Sequence, residues 1–326
     1  MEKKEIPKIY KFVVVFLVSF AGWWGINLLN EDLEDIFYWE EISRNPDVLL
    51  AQVYMNPRAN RIIKIPAELN LEEEIEVKAK AAITVLVDEL GRQKILFKKN
   101  IKEKMPIASI TKLMTAIVST DIYKNGNVIE ISSNAVAQED SRGNLEQGEK
   151  LPFFELIKSS LIESSNDAAF AIAEGITEEG IFGLDKFVSL MNLKAKEIGL
   201  NDTNFTNPTG LDGKENYSTC SDLLILSKYT INNYPEILNI TKEDSCEVLN
   251  PDQTVHHYIS ENTNILLKEY PQIIGGKTGF TEEAGGCILL VFKKEDGNYI
   301  IHAILGTDSS EARFEEARKL INHFNY

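Results

Sequence analysis

Apolar residues along the chain follow two different spacings. From Ala82 to Asp88 the run Ala-Ile-Thr-Val-Leu-Val-Asp is rich in β-branched side chains. A turn follows at Gly91 and Lys94–Phe97 resumes the run, which predicts a β-hairpin. A second hairpin is predicted where Cys287–Phe292 and Tyr299–Leu305 flank Asp296-Gly297, since glycine accepts the positive φ of a tight turn. Ile273–Lys277 reads as a further strand. Between these ends the spacing becomes helical. Helices are predicted from Lys112 to a stop at Gly126, and over Phe153–Ile162, Asp167–Ile176, Leu184–Ile198 and Asp222–Ile231, with Glu311–Phe324 closing the chain. Helices bracketed by hairpins, rather than alternating with strands, predict an α+β domain in which an antiparallel sheet packs against helices.

One apolar run fits neither spacing. Phe12 to Asn30 contains no charged side chain, and its nineteen residues at ~1.5 Å each span roughly the thickness of a bilayer's hydrocarbon core. Lys3, Lys4, Lys8 and Lys11 precede it, and Glu31, Asp32, Glu34 and Asp35 follow. That asymmetry predicts a single-pass anchor with residues 1–11 as a cytoplasmic tip and the body outside. Ser19-Phe20-Ala21 also matches a signal-peptidase site, so a secreted body after cleavage is the rival reading, and a buried core helix is the third. Residues 31–76 are acidic, with prolines at 46, 57 and 66, and read as a stem. The folded domain is expected over 77–326.

Charge narrows the function classes. The 326 residues carry a net charge of −16, and because residues 1–30 hold four lysines against two glutamates, the remainder stands at −18. Such a chain lacks the basic face that nucleic acid requires. Cys220, Cys246 and Cys287 are too far apart for a metal knuckle and odd in number, so they read as small buried hydrophobes. No metal or cofactor is expected.

Three short motifs carry candidate chemistry. In Ser109-Ile-Thr-Lys112 the i and i+3 positions share a helix face, so the Lys112 amine can reach Ser109 Oγ. A serine hydroxyl needs a base, and a lysine whose charged form is disfavoured by burial can serve. A helix beginning at Ser109 would also aim free N–H groups at a developing oxyanion. Taken alone, about one such Ser-x-x-Lys is expected by chance in a chain of this length, and a surface lysine on an amphipathic helix is the plain reading. Ser164-Ser165-Asn166 falls between two predicted helices. There a hydroxyl and an amide two residues apart can relay a proton and hold a substrate amide, or simply cap the second helix. Gly275-Gly276-Lys277-Thr278-Gly279 lies on a predicted strand, where glycine permits close approach of another backbone and Lys277 and Thr278 offer charge and a hydroxyl to an anion. It is no phosphate-binding loop, because position 271, where the first glycine of that motif would fall, is proline.

Taken in order, Ser-x-x-Lys, Ser-x-Asn and Lys-Thr-Gly resemble the penicillin-recognising serine enzymes. Within them the match is to the serine D-alanyl-D-alanine carboxypeptidases of the peptidase S11 family. Pro106–Ala116, Glu163–Ala169, Met191–Leu200, Phe205–Leu211, Tyr217–Thr219, Asn262–Leu267 and Gly276–Thr281 all resemble segments of that family, and the resemblance covers about 77–326. It implies a β-lactamase/transpeptidase-like fold, an antiparallel five-stranded sheet flanked by helices with an all-helical subdomain. It implies that Ser109 is the nucleophile, Lys112 its base and Ser164 a proton shuttle. Asn166 would hold the substrate amide, Lys277 and Thr278 the terminal carboxylate, and the N–H groups of Ser109 and Phe280, beside Gly279, would form the oxyanion hole. The substrate would be a peptidoglycan stem peptide ending in D-Ala-D-Ala, with β-lactams as inhibitors. Where many relatives carry histidine, this chain has Thr209 and Asn216. No second β-rich domain is expected after the final strand, and the four histidines, at 256, 257, 302 and 323, are expected to be structural or exposed.

Two other readings stay open. A class A-like β-lactamase needs a glutamate to activate the deacylating water, and Glu197-Ile-Gly-Leu-Asn201 has the required pattern, although Gly199 reads as the end of a helix. A membrane-tethered wall-binding protein with a silent site is the non-enzymatic reading.

Overall fold

The computed structural model describes residues 75–123, 126–140, 143–177 and 180–324. The predicted anchor over 12–30 and all but the last two residues of the predicted stem lie outside the described residues. Among the described residues no helix is long and apolar enough to cross a membrane.

The chain enters through strands β1 (Ala81–Val87) and β2 (Gln93–Lys99), the predicted N-terminal hairpin. A 3-10 turn over Ala108–Thr111 runs directly into helix α1 (Lys112–Ile122). A two-stranded ribbon of β3 (Val128–Glu130) and β4 (Lys150–Pro152) encloses the short α2 (Ser133–Val136). Helices α3 (Phe153–Ile162) and α4 (Asn166–Glu174) follow, then the small pair β5 (Ile176–Thr177) and β6 (Gly180–Ile181), then α5 (Leu184–Ile198). After a long loop come α6 (Cys220–Asn233), α7 (Pro235–Thr241) and the hairpin β7 (Cys246–Leu249) and β8 (Val255–Ile259). The chain closes with β9 (Ile273–Thr281), β10 (Gly285–Lys293), β11 (Tyr299–Thr307) and α8 (Ala312–His323).

Both terminal hairpins join one antiparallel sheet in the order β2-β1-β11-β10-β9. Composition explains the order. Strands β1, β10 and β11 are near-continuous runs of Ala, Val, Ile and Leu and are buried on both faces, as central strands must be when helices cover both sides. Strand β2 carries three lysines and takes an edge, where charge discourages pairing with another chain. On one face α8 packs Phe314, Leu320 and Ile321 against Ile288, Leu290, Phe292, Ile300 and Ile304. On the other, α6 lies over β11 and β1, and α1, α3, α4, α5 and α7 assemble into a helical layer beside it. Strand β9, the remaining edge, faces that layer through α7 and the 3-10 turn.

Predicted helices α3 and α5 appear with the expected limits; others shift for local reasons. Helix α4 stops two residues early because Gly175 takes a left-handed conformation (φ +61°), and Ile176 then pairs into β5. Helix α6 starts two residues early because Thr219 caps it, accepting from Asp222 N at 3.0 Å. Helix α1 ends at Ile122 rather than Gly126, since Tyr123 is extended. Strand β9 runs four residues beyond Lys277 because it stays paired with β10 as far as Thr281. The three cysteines are free, with Cys220 and Cys287 buried and Cys246 partly so.

Candidate active site

Ser109 lies at the second position of the 3-10 turn, one turn before Lys112 opens α1. In a 3-10 turn residues i and i+3 eclipse, so the two side chains meet more directly than on the α-helix expected from the sequence. Lys112 Nζ donates to Ser109 Oγ at 2.8 Å, to Asn166 Oδ1 at 2.6 Å and to the Thr209 carbonyl at 2.8 Å. All three ammonium protons are thereby used, yet the side chain is fully buried. Burial pushes the amine down to about 7, against the opposing pull of the Asp167 and Asp140 charges. A lysine half neutral near pH 7 can accept the serine proton.

Two close approaches hold the Ala108–Ser109 peptide. Ala108 has a left-handed backbone (φ +48°), a strained state for a residue with a Cβ. A Cβ on Gly210 would sit 1.9 Å from the Ala108 carbonyl oxygen, and one on Gly279 would sit 2.7 Å from Ser109 N. Only glycine at both positions lets the 207–211 loop and strand β9 close on the Ala108–Ser109 peptide. The loop is itself shaped by Asn207, whose Oδ1 accepts from Thr209 Oγ1 at 3.0 Å and from Gly210 N at 2.7 Å. Thr209 thus meets Lys112 through its carbonyl and not its side chain.

The Ser164-Ser165-Asn166 segment divides the two readings offered by the sequence. Ser165 is the helix cap, its Oγ accepting from Ala168 N at 3.0 Å. Ser164, with a left-handed backbone (φ +67°), turns instead to the site, where its Oγ accepts from Lys277 Nζ at 2.9 Å. Asn166 bridges, accepting from Lys112 Nζ on Oδ1 and donating through Nδ2 to the Glu139 carbonyl at 2.8 Å. Lys277 is buried, and burial, reinforced by the charges of Lys112 and Arg313, holds its amine well below the ordinary lysine range. Thr278 Oγ1 donates to Thr263 Oγ1 at 2.8 Å, and Phe280 stands at the rim, 41% exposed.

A cavity of about 620 Å3 is lined by Ser109, Glu139, Asp140, Ser164, Leu211, Asp212, Thr263, Thr278, Gly279, Phe280, Thr281, Glu282 and Arg313, while Lys112, Asn166 and Lys277 are not among its lining residues. Among the described residues no group of histidine, cysteine and carboxylate side chains is arranged to hold a metal ion.

Residues 68–309 match the family model described as D-alanyl-D-alanine carboxypeptidase, peptidase S11. The chain belongs to the peptidase S11 family. It is 33% identical over 255 residues to the D-alanyl-D-alanine carboxypeptidase DacF of Bacillus subtilis, covering 76% of this chain and 62% of that one. To the D-alanyl-D-alanine endopeptidase of Escherichia coli it is 30% identical over 255 residues, covering 74% and 76% respectively. The ampicillin-bound structure of penicillin-binding protein D2 from Listeria monocytogenes superimposes with a TM-score of 0.62 at 29% identity, over 77% of this chain and 98% of that one. The chain spans about three-fifths of the length of the carboxypeptidases it matches.

Against this S11 frame, the structure adds residues that the sequence did not single out. Arg313, at the start of α8, reaches the cavity and donates from Nη1 to the Gly279 carbonyl at 2.8 Å, while its buried Nε has no hydrogen-bond partner. It presents a fixed cation, where the sequence pointed to Lys277 as the chief local positive charge. No local pattern marks it, since it stands 34 residues beyond Gly279 in the chain. Thr263 lies within a segment the family resemblance had included, but its hydroxyl had no assigned task. Glu197, the residue on which a β-lactamase reading depends, does not line the cavity; its carboxylate is 3.1 Å from Lys194, which in turn meets Asp121 at 2.9 Å.

Proposed function

We propose that the chain is a serine-type D-alanyl-D-alanine carboxypeptidase acting through an acyl-enzyme. The observation that carries this reading is a fully buried Lys112 with its amine at 2.8 Å from Ser109 Oγ and pushed down to about 7. Ser109 Oγ attacks the carbonyl between the two terminal D-alanines while Lys112 takes its proton. The N–H groups of Ser109 and Phe280 receive the oxyanion. As the tetrahedral intermediate collapses, the C–N bond breaks and Ser164 passes a proton to the departing D-alanine amine, drawing on the Lys112–Lys277 pair. Water then attacks the ester, releasing the shortened peptide and restoring Ser109. Asn166 holds the substrate amide, and Thr278 and Arg313 receive the terminal carboxylate. A β-lactam places its own carbonyl and carboxylate on the same groups, and the ampicillin-bound relative supports that part of the reading.

Mass spectrometry of the full chain after incubation with benzylpenicillin tests the assignment. One adduct on the peptide containing Ser109, absent from Ser109→Ala, is the expected result; an adduct elsewhere removes Ser109 as nucleophile. The endopeptidase relative supports a second substrate for the same acyl-enzyme, a D-alanyl cross-link. Release of free D-alanine from a pentapeptide, compared with cleavage of a cross-linked dimer, separates the two. For the N-terminal region, the charge pattern around 12–30 supports a membrane anchor with residues 77–326 as the extracytoplasmic catalytic domain. Digestion of the domain by protease added to intact cells tests that orientation.

A further inference from the structure

His256 and His257 are adjacent on β8, where alternation would send their side chains to opposite faces. They converge instead. Val248 of β7 pairs with His257 and Leu249 with Val255, so His256 is the extra residue of a β-bulge, a device that re-aims a side chain. The two Nδ1 atoms are 2.6 Å apart, with the rings nearly edge to face at 75°. His256 Nε2 is 2.9 Å from Glu149 Oε2, and His257 Nε2 is 3.1 Å from Glu163 Oε1. The two histidine side chains are only 14% and 11% exposed. Glu163 is the residue immediately before Ser164, and it also accepts from Ser159 Oγ at 2.6 Å.

Where both glutamates are ionised, counting protons gives the charge of this chain of four groups. A neutral imidazole carries one N–H and one lone pair, and an imidazolium carries two N–H groups. Each Nε2–carboxylate contact requires a proton, and the Nδ1–Nδ1 contact requires one and admits only one. Three protons on two rings make one imidazole and one imidazolium. With both rings neutral, one of the three contacts has no proton; with both charged, two N–H groups collide. A single cation shared by the two rings is therefore clamped between two carboxylates. Glu155 and Lys158 from α3 pair with each other at 2.9 Å and, with Glu243 and Glu163, act on the Cys246 thiol of β7.

We propose that His256 and His257 are positioning residues for acyl transfer: sharing one proton, they lock the Glu163 side chain and with it the left-handed backbone that presents the Ser164 hydroxyl to Lys277. The strain at Ser164 (φ +67°) has to be held by its neighbours. On its C-terminal side, Ser165 caps α4 and bonds Asp167, whose carboxylate accepts from Gly143 N at 2.9 Å. On its N-terminal side the anchor is Glu163, and the histidine pair joins that anchor to Glu149 near the start of β4. This inference rests on the acyl-enzyme reading above.

The test uses the full chain, a fluorescent penicillin, and the variants His256→Gln, His257→Gln and Tyr258→Ser. Tyr258, 69% exposed on the same hairpin, controls for general disturbance of β8. The expected result is a tenfold fall in the acylation rate at saturation for either histidine variant, with the half-saturating concentration changed less than twofold and Tyr258→Ser unaffected. The double histidine variant should be no slower than either single one. His256→Gln carries the weight, because His256 does not touch Glu163; if it acylates like the parent while His257→Gln is slow, the shared proton has no role and the proposal is overturned. Nitrogen NMR of the unmodified protein, which needs no variant to fold, should find three protonated ring nitrogens across the pair, and two would overturn the proton count. If the parent chain is not acylated at all, the acyl-enzyme reading fails, and the NMR count still decides the state of the pair.

Discussion

Raising the pH from 6 to 8 should accelerate acylation of Ser109 by a β-lactam about tenfold, through the proton on Lys112. Burial pushes this amine down to about 7. At pH 6 about one molecule in eleven then holds Lys112 neutral, and at pH 8 about ten in eleven. An exposed lysine titrating near 10.5 would be neutral in only about one molecule in three thousand at pH 7, so the environment raises the supply of base by roughly three orders of magnitude, or about 5 kcal/mol against the charged form. The cause is located: the Nζ is enclosed with neutral acceptors, Ser109 Oγ, Asn166 Oδ1 and the Thr209 carbonyl, and no carboxylate bonds it. Stopped-flow measurement of the second-order acylation constant between pH 5.5 and 9, with a neutral-side-chain penicillin, reads the limb directly. Lys112→Arg keeps the charge but cannot give up its proton, and should lose at least about 100-fold at every pH. A rate that is flat or falling between pH 6 and 8 would refute the assignment of Lys112 as base, as would an arginine variant of near-parental rate.

Three further changes test other parts of the fold. Gly279→Ala places a Cβ 2.7 Å from Ser109 N, so acylation should drop about 100-fold through misplacement of the nucleophile, and an unchanged rate would show that β9 yields there. Arg313→Gln removes the fixed cation of the cavity while keeping a donor for the Gly279 carbonyl; the half-saturating concentration of a peptide ending in a free carboxylate should rise about tenfold, with little change for the corresponding amide. His302, buried in the sheet with Nδ1 2.9 Å from Thr84 Oγ1, is pushed down to about 3, whereas an unfolded histidine titrates near 6.5. The unfolded chain therefore binds the extra proton first, and stability drains away as the pH falls from 6.5 towards 3, by up to about 1.4 kcal/mol per pH unit from this group. In urea unfolding at pH 7 and 5, the double variant Thr84→Val, His302→Leu should lose about 2 kcal/mol less than the parent on acidification, and equal losses would sink the argument.

The charge pattern of the site also departs from a simple capture of anions by lysine. The body outside residues 1–30 carries −18, and Glu139, Asp140, Asp212 and Glu282 are among the residues lining the cavity itself. Lys112 and Lys277 lie close enough for each charge to disfavour the other, and both are buried. The lysines are thus suited to moving protons, through Ser109 on one side and Ser164 on the other. Arg313 remains charged in this setting even though burial opposes it, because guanidinium holds its proton far above the working range. Holding an anion and handling protons are divided between different residues.

What could be read from the sequence, and what could not, follows from the same division. Ser109 and Lys112 form a local pair whose contact is set by one turn of chain, and Ser164 and Asn166 lie two residues apart, so spacing offered them as candidates and the order of the three motifs selected them. The hairpins that carry β9, β10 and β11 were visible because turn chemistry and β-branched runs are local too. Everything that brings the pairs together is remote in sequence: the Thr209 carbonyl reaches Lys112 across 97 residues, Lys277 reaches Ser164 across 113, and Arg313 reaches Gly279 across 34. Such contacts leave no periodic trace. The nearest thing to a trace is glycine where no turn is needed. Gly279 continues a strand, and its missing Cβ is the space in which the Ser109 backbone lies. The expectation that strand glycines permit close approach named the effect correctly, but the partner that approaches is the chain's own Ser109-bearing turn. That is why the Lys-Thr-Gly strand and the Ser-x-x-Lys turn behave as one unit: a change on either that widens the 2.7 Å allowance displaces the attacking oxygen and the N–H groups meant to receive its charge together.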